Sequence, residues 1–185
     1  AYALARLRFR GRNVIFLLLI STMMIPGYVT LIPNFAIMVK LKLLNSHWAL
    51  ILRSALSGSA TSIFLFRQFF LSIPRDLENA AIVDGCSWPG VFFRIIMPNS
   101  KPAIATVIIL SFRSTWNSFL WPQLVLQTDR LWTWTLALKI LSESETNQAV
   151  LLAGSVISIL PILIIYLACQ KYFVNSQVSA GFGGT

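Results

Sequence analysis

Long apolar runs alternate with short polar stretches along this chain. Four runs are long enough to cross a bilayer core as helix, which takes about 20 apolar residues. The first is roughly Val14–Ile32, with no charge between Arg12 and Lys40. Pro26-Gly27 lies inside it and predicts a kink or an early end. The second, roughly Trp48–Phe70, holds Arg53 near one end and Arg67 near the other. The third, roughly Pro102–Leu126, carries Arg113 in its middle. The fourth, roughly Ala149–Ala168, is uncharged from Thr146 to Gln170 and contains Pro161. The pattern predicts an all-α polytopic membrane protein, one transmembrane domain over residues 1–185.

A polar island, Ile73–Pro98, separates the second and third runs. It holds Asp76, Glu78 and Asp84, three of the six acidic residues in the chain. Pro74 suits a first helical turn, where its missing N–H costs nothing. Asp76 and Glu78 then sit near the positive end of the helix dipole. Leu77, Ala80 and Ala81 fall at i, i+3 and i+4 and predict one apolar, small-residue face. Asp84-Gly85 ends the helix, with Gly85 able to take the left-handed conformation. Val91, Phe92, Ile95 and Ile96 recur at helical spacing until Pro98. The expected shape is helix, sharp turn, helix, lying along the membrane surface.

Composition agrees with a bilayer protein. Charged residues make up 11% of the chain, against about 25% in soluble domains, and mean hydropathy is +0.73. A net charge of +9 would suggest nucleic acid for a soluble protein. Here the basic residues sit at span ends and set topology instead. If all four runs cross, Arg6, Arg8, Arg10, Arg12, Arg67, Arg75, Arg94, Lys101 and Lys171 share one side. Lys40, Lys42, Arg130 and Lys139 lie on the other. The excess predicts that the N-terminus, the island and the C-terminal tail are cytoplasmic. The chain opens in Ala-Tyr-Ala-Leu-Ala without Met, which reads as the tail of an earlier hydrophobic segment; upstream helices are expected. The two cysteines, Cys86 and Cys169, have no metal-ligand spacing and predict no disulfide.

Inside the spans, Arg113 is the most expensive residue. An arginine at a helix centre costs roughly 2.5–3.5 kcal/mol on insertion scales, so it should face protein or water. Thr106, Arg113 and Asn117 share one side of an ideal helix, with Trp116 and Leu120 flanking it. Such a face suits sugar hydroxyls and an anionic group; pairing of Arg113 with a partner subunit or a lipid phosphate is the alternative. Arg53 lies close enough to a span end to snorkel. Ser54, Gly58, Thr61 and Ser62, and Gly154 with Ser158, predict close helix packing. His47 has no second metal ligand in view. No residue set is assigned to catalysis or to a metal.

The island resembles the EAA loop of ABC importer permeases, E-A-A-x-x-x-G followed by I-x-L-P. Asn79-Ala80-Ala81, Gly85, Ile95, Met97 and Pro98 fall on that spacing. Asn79 stands where the pattern has Glu, with Glu78 beside it, and Met97 replaces Leu. AYALARLRFRGR, MMIPGYVTLIP, FLFRQFFLSIP and WNSFLWP resemble segments of the carbohydrate and glycerol-3-phosphate class of these permeases. Ser118 departs from that class, which has an acidic residue or glutamine there. The four spans would match the last four of a six-helix subunit.

The resemblance implies a non-catalytic transmembrane subunit of an importer, in a prokaryotic inner membrane. Its partners would be two ATP-binding cassette subunits, a second permease subunit and an extracellular solute-binding protein. ATP and Mg would be held by the partner ATPases, since the chain has no G-x-x-x-x-G-K-[ST] loop. The 73–98 segment would couple ATPase closure to the spans through Glu78, Asn79, Ala80, Ala81, Asp84, Gly85, Ile95 and Pro98. Two other classes compete. A secondary carrier or channel would need coupling carboxylates deep in the spans, and all six acidic residues lie outside them. A membrane-embedded enzyme would need an intramembrane Asp, Glu, His or Cys cluster to activate a nucleophile or metal, and the spans lack one.

Overall fold

The computed structural model describes residues 1–57, 59–144 and 148–181, and among them all regular structure is helical. In chain order the α-helices are α1 (Tyr2–Arg6), α2 (Arg12–Ser21), α3 (Leu31–Lys40), α4 (Trp48–Ser57), α5 (Ala60–Ser72) and α6 (Arg75–Val83). They continue with α7 (Trp88–Val91), α8 (Met97–Asn99), α9 (Lys101–Trp116), α10 (Leu120–Val125), α11 (Trp134–Ser144) and α12 (Gln148–Gly181). A π-helical stretch, Phe92–Ile96, joins α7 to α8.

The apolar runs are more broken than hydropathy predicts. Val14–Ile32 is not one helix: α2 and a 3-10 turn end at Met24, and α3 starts at Leu31. Pro26-Gly27 lies in the gap, where proline lacks the N–H and glycine weakens a helix. Trp48–Phe70 divides into α4 and α5. Ser59 is extended and caps α5, its hydroxyl accepting the Ser62 N–H at 3.2 Å; such a cap satisfies a helix-end donor. Gly58, part of the predicted small stripe, lies outside the described residues. Pro102–Leu126 divides into α9 and α10, because a proline at 122 cannot take part in the ladder to Ser118. The fourth run extends well beyond its predicted limits, and Pro161 stays inside α12. Among the described residues, only Gln148–Tyr172, with mean hydropathy 2.6, is by itself long and apolar enough to cross a membrane. Two helix pairs, Trp48–Ala55 with Ala60–Ser72 and Trp88–Asn99 with Lys101–Trp116, qualify if each is one broken span.

The chain forms two compact units. One comprises Ala1–Met24, Ser59–Ile109 and the end of α12 from Ala168. Its core is Ala5, Phe70, Ile73, Ala81, Val91 and Ile96, with Tyr2, Phe66 and Phe92 packed against it. Tyr2 meets Phe70 edge-on at 5.9 Å and Phe92 at 5.0 Å. This aromatic contact seats the island on α1 and α5.

The other unit comprises Ile25–Gly58 and Leu110–Leu167. Met38, Ala49, Trp121, Val125 and Leu126 form its core. Asn45, at φ 55°, closes this core. Its backbone N–H donates to the Val125 carbonyl, its amide N–H to Thr128 Oγ1, and its Oδ1 accepts the N–H groups of Gln127 and Thr128. Asn is among the few side chains that tolerate positive φ.

Large apolar side chains remain exposed on α2 (Leu17, Leu18) and along α12 (Leu152, Val156, Ile159, Ile164). A soluble monomer rarely exposes so much apolar surface; hydrocarbon is its compatible solvent.

Candidate functional site

The island folds as helix, turn, helix. Asp84 ends α6, and Gly85 takes φ +81°. The Gly85 N–H donates to the Ile82 carbonyl at 3.0 Å and the Cys86 N–H to the Ala81 carbonyl at 2.9 Å. These two bonds form a Schellman cap, which needs a left-handed residue at Gly85. The second helical stretch does not stop at Pro98. It runs to Asn99; Pro98 near its end has no N–H to donate to the preceding turn, which is π-helical.

The faces of α6 differ from the predicted ones. Ala81 and Glu78 are buried, whereas Leu77 and Ala80 are exposed. Ala81 is drawn into the core beside Ile73 and Val91, while Leu77 and Ala80 on the same side of α6 stay exposed. Outward from the loop point Leu77, Val83 (86% exposed), Trp88 and Phe93. Asn79 and Asp84 are exposed with them, Ile95 is half-buried against the core, and Pro98 is exposed.

Glu78 faces inward. Its Oε1 lies 3.1 Å from Arg6 Nε, with both side chains buried. The two atoms are at ion-pair distance without hydrogen-bond geometry. Arg6 Nη2 donates to the Ile73 carbonyl at the island's entrance. Arg67 Nε donates to the Leu4 carbonyl at 3.2 Å, and its guanidinium lies over the Phe16 ring at 4.1 Å. Burial pushes the Tyr2 phenol pKa up, and the Glu78 carboxylate adds to the shift. Periodicity could not reveal this inward tether, because Arg6 and Glu78 are far apart in sequence.

Within the other unit, two adjoining cavities of ≈ 260 and ≈ 320 Å³ share Arg53, Ser118 and Trp121 as lining. Asn117 lines the smaller one, and Asn34, Thr115 and Thr133 line the larger. Of the four span residues singled out from the sequence, Asn117 lines one of these two cavities and Thr106, Arg113 and Trp116 line neither. Thr106 Oγ1 donates to the Pro102 carbonyl. Trp116 Nε1 donates to the Ser158 carbonyl at 3.1 Å, which ties α9 to α12. Arg113 is exposed.

Arg53 lies over an indole. Its guanidinium carbon lies 4.4 Å from the Trp121 ring centroid. Trp121 is 4% exposed, and its Nε1 donates to the Ala49 carbonyl at 3.3 Å. His47 has Nε2 2.9 Å from the Leu131 carbonyl oxygen. Hydropathy marks Arg53 as an interruption of a span; only the fold places it over an indole.

Comparison with known proteins covers nearly the whole chain. Residues 1–176 match the family model described as binding-protein-dependent transport system inner membrane component. The arabinooligosaccharides transport system permease protein AraQ of Bacillus subtilis is 42% identical over 99% of this chain and 65% of its own length. The sn-glycerol-3-phosphate transport system permease protein UgpE of Salmonella typhi is 36% identical over 97% of this chain and 64% of its own. A chain from the crystal structure of a bacterial ABC transporter involved in the import of the acidic polysaccharide alginate superposes with a TM-score of 0.76 at 30% identity, covering 93% of this chain and 65% of that one. The chain thus spans about two thirds of each relative's length. With the helix–Gly85–helix island matched along with almost all flanking helices, this chain belongs to the family of binding-protein-dependent transport system inner membrane components.

Proposed function

We propose that this chain is a transmembrane subunit of an ATP-driven importer and forms half of the path for a sugar, a sugar-like solute or glycerol-3-phosphate. It couples to a separate ATPase subunit through residues 73–98. The observation that carries this reading is the outward apolar surface of the island, Leu77, Val83, Trp88 and Phe93, on a loop rigidly seated by Arg6 and Tyr2. Exposed apolar residues rimmed by polar ones mark protein docking sites. Asn79, Ala80, Asp84 and Gly85 lie on that surface, and Glu78, Ala81 and Ile95 anchor it from within.

Four spans cross the inner membrane in this reading, with the N-terminus, the island and the C-terminus cytoplasmic. Arg8, Arg10, Arg12 and Arg75 lining one cavity supports that orientation by the positive-inside rule. The island then faces the compartment that holds ATP. Two ATP-binding subunits, a second permease subunit and an extracellular binding protein complete the machine, and ATP and Mg stay on the ATPases. The relatives named for arabinooligosaccharide and glycerol-3-phosphate transport systems support the solute class. The cavities around Asn117, Ser118 and Trp121 offer the polar and aromatic lining such solutes need.

Isolation of the complex from membranes tests the reading. ATPase subunits should co-purify, and ATP should drive uptake in liposomes. A chain that transports alone without ATP would instead be a carrier or channel.

A further inference from the structure

We propose that Arg53, stacked on Trp121, is the anion-binding group of the solute cavity, so that the solute carries a carboxylate or a phosphate. This inference rests on the importer reading and narrows its solute class.

Arg53 projects from α4, in an apolar stretch, and is half-buried. A half-buried cation in an apolar helix needs a counter-charge, a polar acceptor or water. Among the described residues Arg53 has neither a carboxylate at ion-pair distance nor a hydrogen-bond acceptor; its contact is the Trp121 ring. Stacking occupies one face of the guanidinium and leaves its planar N–H donors free. Those donors are arranged to take a carboxylate or phosphate in a bidentate pair. Both cavities are lined by Arg53, and none of their lining residues is acidic. The indole beneath it is fixed by its bond to Ala49, so the cation is positioned.

The larger cavity has further polar lining. Thr133 contributes to it. Asn34, Thr115 and Ser118 line the same cavity with no side-chain hydrogen bond within the described residues. A cation with spare hydroxyls and an amide around it matches a sugar acid or sugar phosphate. An uncharged oligosaccharide would leave Arg53 without a counter-charge. Arg113, in contrast, is exposed and lines neither cavity.

Titration of the purified complex tests this, read by tryptophan fluorescence with Trp121→Phe as the control for the signal's origin. The probes are trigalacturonate, glycerol-3-phosphate and neutral arabinotriose. At least one anionic probe should give a saturable, salt-sensitive change that is absent in Trp121→Phe. Arg53→Gln should weaken that binding about tenfold or more, as expected for a lost charge-assisted bond. Arg53→Lys should restore part of it, and carries the comparison if the Gln variant does not assemble. The responding probe tells carboxylate from phosphate. Binding of arabinotriose alone, binding of no probe, or anion binding unchanged in Arg53→Gln overturns the proposal. Failure to isolate any complex with an ATPase sinks the importer reading itself, whereas an intact ATPase complex without anion binding sinks this inference alone.

Discussion

Arg6 of the first helix and Glu78 of the island form a buried ion pair, Nε to Oε1 3.1 Å. The island is therefore held from below. Arg6 also grips the Ile73 carbonyl, so one side chain bonds the loop's entrance and pairs with its helix. Removing one partner of a buried pair leaves the other charge uncompensated and costs about 3–5 kcal/mol, whereas replacing both with apolar groups is often near neutral. Glu78→Leu should thus lower the thermal stability of the purified complex sharply, and Arg6→Met should do the same. The double variant should recover much of the loss. Equal losses that simply add would show that the two side chains act independently.

Gly85 has φ +81°, and a Cβ built there would meet nothing within 4 Å. Backbone conformation, not crowding, decides what it tolerates. The left-handed region costs a residue with a Cβ about 1–2 kcal/mol, least for Asn and most for β-branched side chains. Stability should fall in the order Asn, Ala, Val, measured by thermal unfolding of the complex. Uptake should fall in the same order, because the turn sets the angle between the island's helices. A ranking by side-chain volume, with Asn worse than Ala, would contradict this account.

Local chemistry made the island legible. Pro74, Gly85 and the apolar spacing act within a few residues, so the helix, the turn and the second helix could be read directly. Glu78 could not, because its partner is in α1. The helix breaks inside the apolar runs were only partly legible for a related reason. Hydropathy counts apolar residues and is blind to the Ser59 cap, to the Asn45 bridge and to the proline break after Trp116. Arg113 and Arg53 show the same limit. Both interrupt apolar runs, and only packing decides that Arg53 meets an indole and a cavity while Arg113 stays exposed.

Leu77 and Val83 are 45% and 86% exposed on α6. Exposed positions away from caps and buried networks change stability by only about 0.5 kcal/mol. Leu77→Arg and Val83→Lys should leave the unfolding temperature of this chain nearly unchanged, a cation suiting the C-terminal end of α6, and reduce the amount of ATPase that co-purifies. The substitution Ala81→Arg should do the opposite, destabilising the chain because Ala81 lies in the core. Full ATPase recovery with both surface variants would place the docking surface elsewhere.

Gly154 of α12 lies against Leu138 of α11, and an added Cβ would fall 2.4 Å from Leu138 Cδ2 and 3.6 Å from its Cγ. Small residues admit this close approach. Two effects of Gly154→Ala oppose each other. Alanine favours a helix interior by about 1 kcal/mol over glycine. Forcing Leu138 off its rotamer costs about 0.5–1.5 kcal/mol. The single variant should therefore be close to neutral. In a Leu138→Ala background the clash is gone, and Gly154→Ala should then stabilise by about 1 kcal/mol. A double-mutant cycle on thermal stability isolates the contact. If Gly154→Ala has the same effect in both backgrounds, Leu138 is not what keeps residue 154 small.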